Sequence, residues 1–244
     1  MPDRALSYTY LGRHYLSENM IDKAVESFNE SLKISSVQQA GGDYNSYKLD
    51  VLTLNDLGGA LSMQGRLDEA IKCFNESLRI NPNYAEAHIN IGNILMAQEK
   101  LNRAINHFRD ALEINPYYET AYIKLGAALA RQEKFKDAVN AYNKAIMLNP
   151  ENGEAYNQLG VLLANQKKFD EAKKYIEKAI EADPSVADPY VTLGKINIKQ
   201  GEFEKAETHF KKALYIRPEL EDLLREILLD EGRPEESSKQ PKKK

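Results

Sequence analysis

Residues 119–152 read ETAYIKLGAALARQEKFKDAVNAYNKAIMLNPEN, and the fold follows from how that string is punctuated. Tyr122, Leu125, Gly126 and Leu129 fall at the three- and four-residue steps of one helix face. Ala138, Tyr142 and Ala145 repeat that spacing as a second helix. Pro150 bars this helix from continuing, because proline has no amide hydrogen and its ring clashes with the preceding turn. The string is therefore a helical hairpin, helix A followed by helix B.

It is one of a series. Gly58, Gly92, Gly126, Gly160 and Gly194 are each 34 residues apart, as are Ala70, Ala104, Ala138, Ala172 and Ala206. Pro82, Pro116, Pro150, Pro184 and Pro218 keep the same step. With the glycine counted as position 8, five units tile Val51 to Leu220 without a gap, and an earlier unit, Ala5 to Gln38, has Gly12, Ala24 and Phe28 in the matching places. Glycine at 8 and alanine at 20 let the paired helices approach closely, and Ala or Ser at 27 does the same toward the next unit. Gly65 and Gly201 occupy position 15 of their units and Asn19 replaces them in the first, residue types that tolerate a left-handed backbone at the turn.

An aromatic, then Leu-Gly, a small residue, an aromatic and a proline within 34 residues resembles the tetratricopeptide repeat. The resemblance covers six units. It departs from the family pattern in having no tryptophan, position 4 being Tyr8, Leu54, His88, Tyr122, Tyr156 or Tyr190, and in Ile176 at position 24 of the fifth unit. It implies an all-α fold, a right-handed α-solenoid of six hairpins at 5–38, 51–84, 85–118, 119–152, 153–186 and 187–220.

Two regions break the period. Residues 39–50 are inserted after the first unit, where Gly41-Gly42 reads as a turn and Asp43 as a cap. Tyr44, Tyr47, Val51, Leu54, Leu57, Gly58 and Leu61 then sit at helical spacing, so the insertion is expected to lengthen helix A of the second unit. At the other end, Leu220, Leu223, Leu224, Ile227 and Leu228 form a stripe in which Leu228 stands where glycine would admit a partner helix. Residues 221–232 are therefore expected to be a capping helix, stopping at Gly232 before Pro234, with a disordered basic tail at 233–244.

Composition narrows the function. A formal charge of -4, from 33 basic and 37 acidic residues, gives no bulk drive toward nucleic acid. The single cysteine, Cys73, supports no intramolecular disulfide and suits a cytoplasmic protein, and neither a signal peptide nor a membrane span is read. His14, His88, His107 and His209 are scattered over the repeats without metal-ligand spacing, so no bound metal is expected. There is no phosphate-cradling loop or nucleophile elbow, and no cofactor or catalytic residue is assigned.

At about 100° per residue, positions 2, 6, 9 and 13 of helix A face away from helix B. The resemblance implies that this face lines a concave groove in which partner segments lie. Candidate groove residues are Tyr10, Asn90, Asn93, Lys124, Arg131, Gln158, Asn165, Lys195 and Lys199. Asn and Gln both donate to and accept from a peptide backbone. The four cations outnumber Glu86, Glu154 and Asp188, so a partner with an acidic segment is expected. Two family readings fail. A chaperone-tail clamp needs Lys at position 5 and Asn at 9 of one unit, yet Asn93 is accompanied by Ile89, and an asparagine ladder needs Asn at 6 throughout, which only Asn90 supplies. The expected function is an adaptor for a protein or peptide partner. The alternatives are a scaffold that self-assembles through an uncapped N-terminal end, as a homo-oligomer, and a regulatory module for a separate enzyme.

Overall fold

The computed structural model describes residues 2–38 and 44–230. The expected Gly41-Gly42 turn, the Asp43 cap, the last two residues of the capping segment and the tail lie outside the described residues. The chain divides into two compact units, residues 1–133 and 134–244.

In the first unit the helices are α1 (Pro2–Ser17), α2 (Ile21–Gln38), α3 (Tyr44–Met63), α4 (Leu67–Ile80), α5 (Ala85–Ala97), α6 (Leu101–Ile114) and α7 (Glu119–Arg131). Each packs on the next, and the A helices α1, α3, α5 and α7 also touch in succession. The second unit holds α8 (Phe135–Leu148), α9 (Gly153–Asn165), α10 (Phe169–Ala182), α11 (Ala187–Lys199), α12 (Phe203–Ile216), a 3-10 turn (Pro218–Leu220) and α13 (Glu221–Asp230). Consecutive helices again pair from α8 to α12, α9 touches α11, and the 3-10 turn joins α12 to α13. Among the described residues there is no strand. Helix α3 runs for 20 residues where α5, α7, α9 and α11 run for 13.

The small residues close the hairpins, with one refinement. A Cβ on Gly58 would stand 2.6 Å from the Phe74 ring, and one on Gly92 2.6 Å from the Phe108 ring. Gly12 faces Phe28, Gly160 faces Ile176 and Gly194 faces Phe210 in the same way. Position 8 thus meets the side chain at position 24, which lies fully buried against it, as Phe28 and Phe108 at 0% exposure show. Alanine at position 20 is completely buried in all six units.

Helix A ends in a tight left-handed turn. The amide of Arg66 donates to the Leu61 carbonyl (2.9 Å), that of Lys100 to Leu95 (2.8 Å) and that of Lys168 to Leu163 (3.0 Å), which is the Schellman pattern. Position 15 has positive φ in every unit: Gly65 and Gly201 at 75°, Asn19 at 58°, and also Glu99, Glu133 and Lys167 at about 60°. The last three were not legible from residue type. A left-handed residue with a Cβ costs about 1–2 kcal/mol, partly offset for glycine by its freer unfolded chain. Lys167→Gly is therefore expected to stabilise the protein by about 0.5–1 kcal/mol, read as a melting temperature higher by about 2 °C.

Helix B ends differently. The side chains of Asn81, Asn115, Asn149 and Asp183 accept from the amides of Asn83, Tyr117, Glu151 and Ser185, two residues on, at 2.9–3.1 Å. Each precedes the repeat proline, so an Asx turn and a proline stop the helix together.

The two ends of the array are built unlike its middle. Between the first two hairpins, Thr9 Oγ1 lies 2.8 Å from both Ser31 Oγ and Thr53 Oγ1, and Ser31 donates to the Ala5 carbonyl at 2.7 Å. All three hydroxyls are buried, a polar seam where later hairpins place alanines such as Ala87 and Ala111. At the C-terminal end, Leu220 and Leu224 are buried against Phe210 and Ala213, with Ile227 and Leu228 beside them.

Candidate peptide-binding surface

The A-helix face of the first unit carries a cleft of about 580 Å³. Asp56, Gly59 and Met63 of α3 line it together with Glu86, Asn90, Asn93 and Ala97 of α5. These are positions 6, 9 and 13 of one hairpin and 2, 6, 9 and 13 of the next, because a helix whose opposite stripe is held against helix B has only this face left to present.

Asparagines line the cleft beside apolar side chains such as Leu16 and Ile94. Asn90 Nδ2 donates to Asn55 Oδ1 at 3.0 Å, fixing its amide. Asn93 Oδ1 is buried and accepts no hydrogen bond from any described residue. A buried amide oxygen without a donor carries a desolvation cost that an incoming N–H relieves. The acids have partners. Arg13 Nε donates to Asp56 at 2.6 Å, and the Tyr84 hydroxyl donates to Glu86 at 2.9 Å. Burial still holds the Asp56 carboxyl above the usual range, outweighing the Arg13 hydrogen bond, and burial with the nearby Glu86 charge pushes the Tyr84 hydroxyl up.

The other candidates are placed less uniformly. Tyr10 of α1 is 60% exposed. Lys124 of α7 is half-buried. Arg131 has intramolecular partners that the sequence did not show: it donates to the Met96 carbonyl at 3.1 Å and meets the Glu99 carboxylate, tying the end of α7 to the end of α5. In the second unit, Gln158 lines a separate cleft of about 600 Å³ with Glu154, Asn157 and Asp188 among its walls. Asn165 is exposed at the end of α9, and Lys195 and Lys199 are exposed on α11. Asp188 accepts from Arg217 at 2.8 Å.

Neither cysteine nor histidine forms a nucleophilic centre. Burial raises the Cys73 thiol, the opposite of activation. The expectation that the histidines are scattered requires correction. His88 and His107 belong to one hairpin, at positions 4 and 23, and the turn between α5 and α6 brings their Nδ1 atoms to 3.1 Å. Linear spacing hides the pair because 19 residues separate them. The third histidine of a helical interior, His209, is depressed by burial and then by Lys212 and Lys173. A depressed imidazole stabilises the fold above its ordinary range and withdraws that contribution as pH falls. Thermal melts from pH 7.5 to 5 are expected to show declining stability, with His209→Gln flattening the slope.

Tetratricopeptide repeat models match residues 50–116, 83–151, 123–187 and 163–227. The chain belongs to the tetratricopeptide repeat family. Its fold is the α-solenoid of that family, and solved structures agree. The crystal structure of MamA is 26% identical, covering 68% of this TPR protein and 97% of MamA, with a TM-score of 0.57. YrrB, described as a TPR protein with an unusual peptide-binding site, is 27% identical over 71% of this chain and 89% of its own, with a TM-score of 0.53. The thermophilic TPR protein TTC0263 of Thermus thermophilus, at 23% identity and a TM-score of 0.65, covers 73% of this chain and 99% of its own and supports the fold alone. No curated protein matches the chain. Among the described residues no helix is long and apolar enough to cross a membrane.

Proposed function

We propose that this TPR protein is a non-enzymatic cytoplasmic adaptor that holds a segment of a partner protein against its A-helix face. The observation that carries the reading is the cleft between α3 and α5, lined by Asn90 and by Asn93, whose buried amide oxygen accepts no hydrogen bond from any described residue. A main-chain N–H of an extended peptide would supply a donor once the Asn93 amide turns toward the cleft, and Gly59 leaves its backbone room. Met63, 63% exposed at the rim, offers apolar contact. A preference for an acidic segment is proposed separately for the second unit, where Lys195 is exposed on α11. Affinity in the micromolar range, about -8 kcal/mol, suits one such segment. A peptide array probed with the purified chain tests the reading. Asn93→Ala is expected to weaken the strongest signals about tenfold, and Lys195→Glu to weaken those of acidic peptides selectively. Unchanged signals for both folded variants would remove this face from the account.

A second reading, self-assembly through the first hairpin, is favoured by Leu11. Its equivalents Leu57, Ile91, Leu125, Leu159 and Leu193 are at most 8% exposed, whereas Leu11, with no hairpin ahead of it among the described residues, is 37% exposed. A second copy laid on α1 would cover it together with Leu6. Light scattering over a dilution series decides: association that Leu11→Glu abolishes supports this reading, and a monomer at every concentration ends it.

A further inference from the structure

We propose that the third hairpin binds a divalent transition-metal ion, with zinc the best chemical match, through His88, His107 and Asp110. His88 projects from α5, while His107 and Asp110 sit one turn apart on α6. The two imidazole Nδ1 atoms are 3.1 Å apart, and His88 Nδ1 is 3.6 Å from Asp110 Oδ2. One donor atom from each of the three residues lies within 4.8 Å of the others. Ligand atoms bonded to a tetrahedral zinc at about 2.0–2.1 Å stand about 3.3 Å from one another, a length that the His88–His107 and His88–Asp110 separations already bracket, and a small rotamer adjustment brings in the third.

The scaffold holds them there. Phe108, the neighbour of His107, fills the space left by Gly92 one turn after His88, so the separation of α5 and α6 is set by a fully buried contact. Two imidazole nitrogens and one carboxylate suit zinc, cobalt or nickel, and not the all-oxygen shells of magnesium or calcium. His88 and His107 are half-buried, and Asp110 at the rim has its side chain 50% exposed, which gives an ion a way in. Three protein ligands leave a coordination position for water or for a group brought by a partner. Arg103, one turn before His107, is the charge that opposes a cation there. The ion would bridge helix A to helix B within one hairpin, away from the cleft residues Asn90 and Asn93, so this inference stands apart from the peptide-binding reading.

The alternative is a simple hydrogen bond between the two rings, one nitrogen donating and the other accepting, and the experiment separates the two. The untagged full chain, stripped with EDTA and dialysed, is titrated with Zn²⁺ by calorimetry, and with Co²⁺ by visible absorption. The expected results are one equivalent bound, a tetrahedral cobalt spectrum, and a melting temperature raised by saturating Zn²⁺ but unmoved by Mg²⁺. His107→Gln and Asp110→Asn should each weaken binding at least tenfold, and Arg103→Gln should strengthen it. Absence of saturable Zn²⁺ uptake, or equal uptake by His88→Gln/His107→Gln, would overturn the proposal. If that double variant does not fold, a wild-type cobalt spectrum lacking tetrahedral bands overturns it alone.

Discussion

Phe108→Ala is expected to destabilise the third hairpin by about 3–5 kcal/mol, the usual loss for emptying a fully buried aromatic site. Phe108 is 0% exposed and closes directly onto Gly92. The two positions should be coupled. Gly92→Ala alone places a Cβ 2.6 Å from the ring and is expected to cost about 1–3 kcal/mol through overpacking. In the double variant the new methyl points into the space the ring has vacated, so the combined loss should be smaller than the sum of the single losses. Urea titration of the four proteins measures this. Strict additivity would mean that the glycine is required for some reason other than the ring. Because repeats contact only their neighbours, hydrogen exchange should rise first in α5 and α6 and less in α9 to α12.

Leu224→Ala is expected to cost about 2–4 kcal/mol, and its effect should be local. Leu224 is 2% exposed and, with Leu220, covers Phe210 and Ala213 of the sixth hairpin. A terminal repeat without such a cover leaves its apolar flank to water. Native-state hydrogen exchange is the suitable readout, with α12 and α13 losing protection together while α4 and α6 keep theirs. Leu223→Ala is the control, since that side chain is 46% exposed on the same helix.

The architecture was legible because it is encoded by side chains that sterics leave no choice about. Gly92 is glycine because the Phe108 ring occupies the place of its Cβ, so the 34-residue step could be read directly. What stayed hidden depends on neighbours that the linear pattern does not pair. The left-handed turns at Glu99, Glu133 and Lys167 are imposed by the hydrogen bonds that close helix A, which override the residues' own preference. The meeting of His88 with His107 requires knowing that positions 4 and 23 face each other across a hairpin. The polar seam of Thr9, Ser31 and Thr53 joins three helices, and no single helix pattern contains it.

The A-helix face of the first unit shows the same division. Helical geometry alone placed Asn90 and Asn93 on the face that lines the cleft. It did not show that Asn90 is held by Asn55, that Arg13 neutralises Asp56, or that Arg131 anchors α7 to Met96 and Glu99. Counting charges therefore overstated how basic the first unit's face is. Its character comes from which charges are already answered inside the fold.

The most direct test of the account is a hydrogen-exchange footprint of the chain with and without a peptide selected on the array. Protection concentrated in α3 and α5, across Asn55–Met63 and Asn90–Ala97, with α4 and α6 unchanged, is the predicted result. Protection falling instead on α4 and α6, with α3 and α5 exchanging as in the free protein, would contradict it.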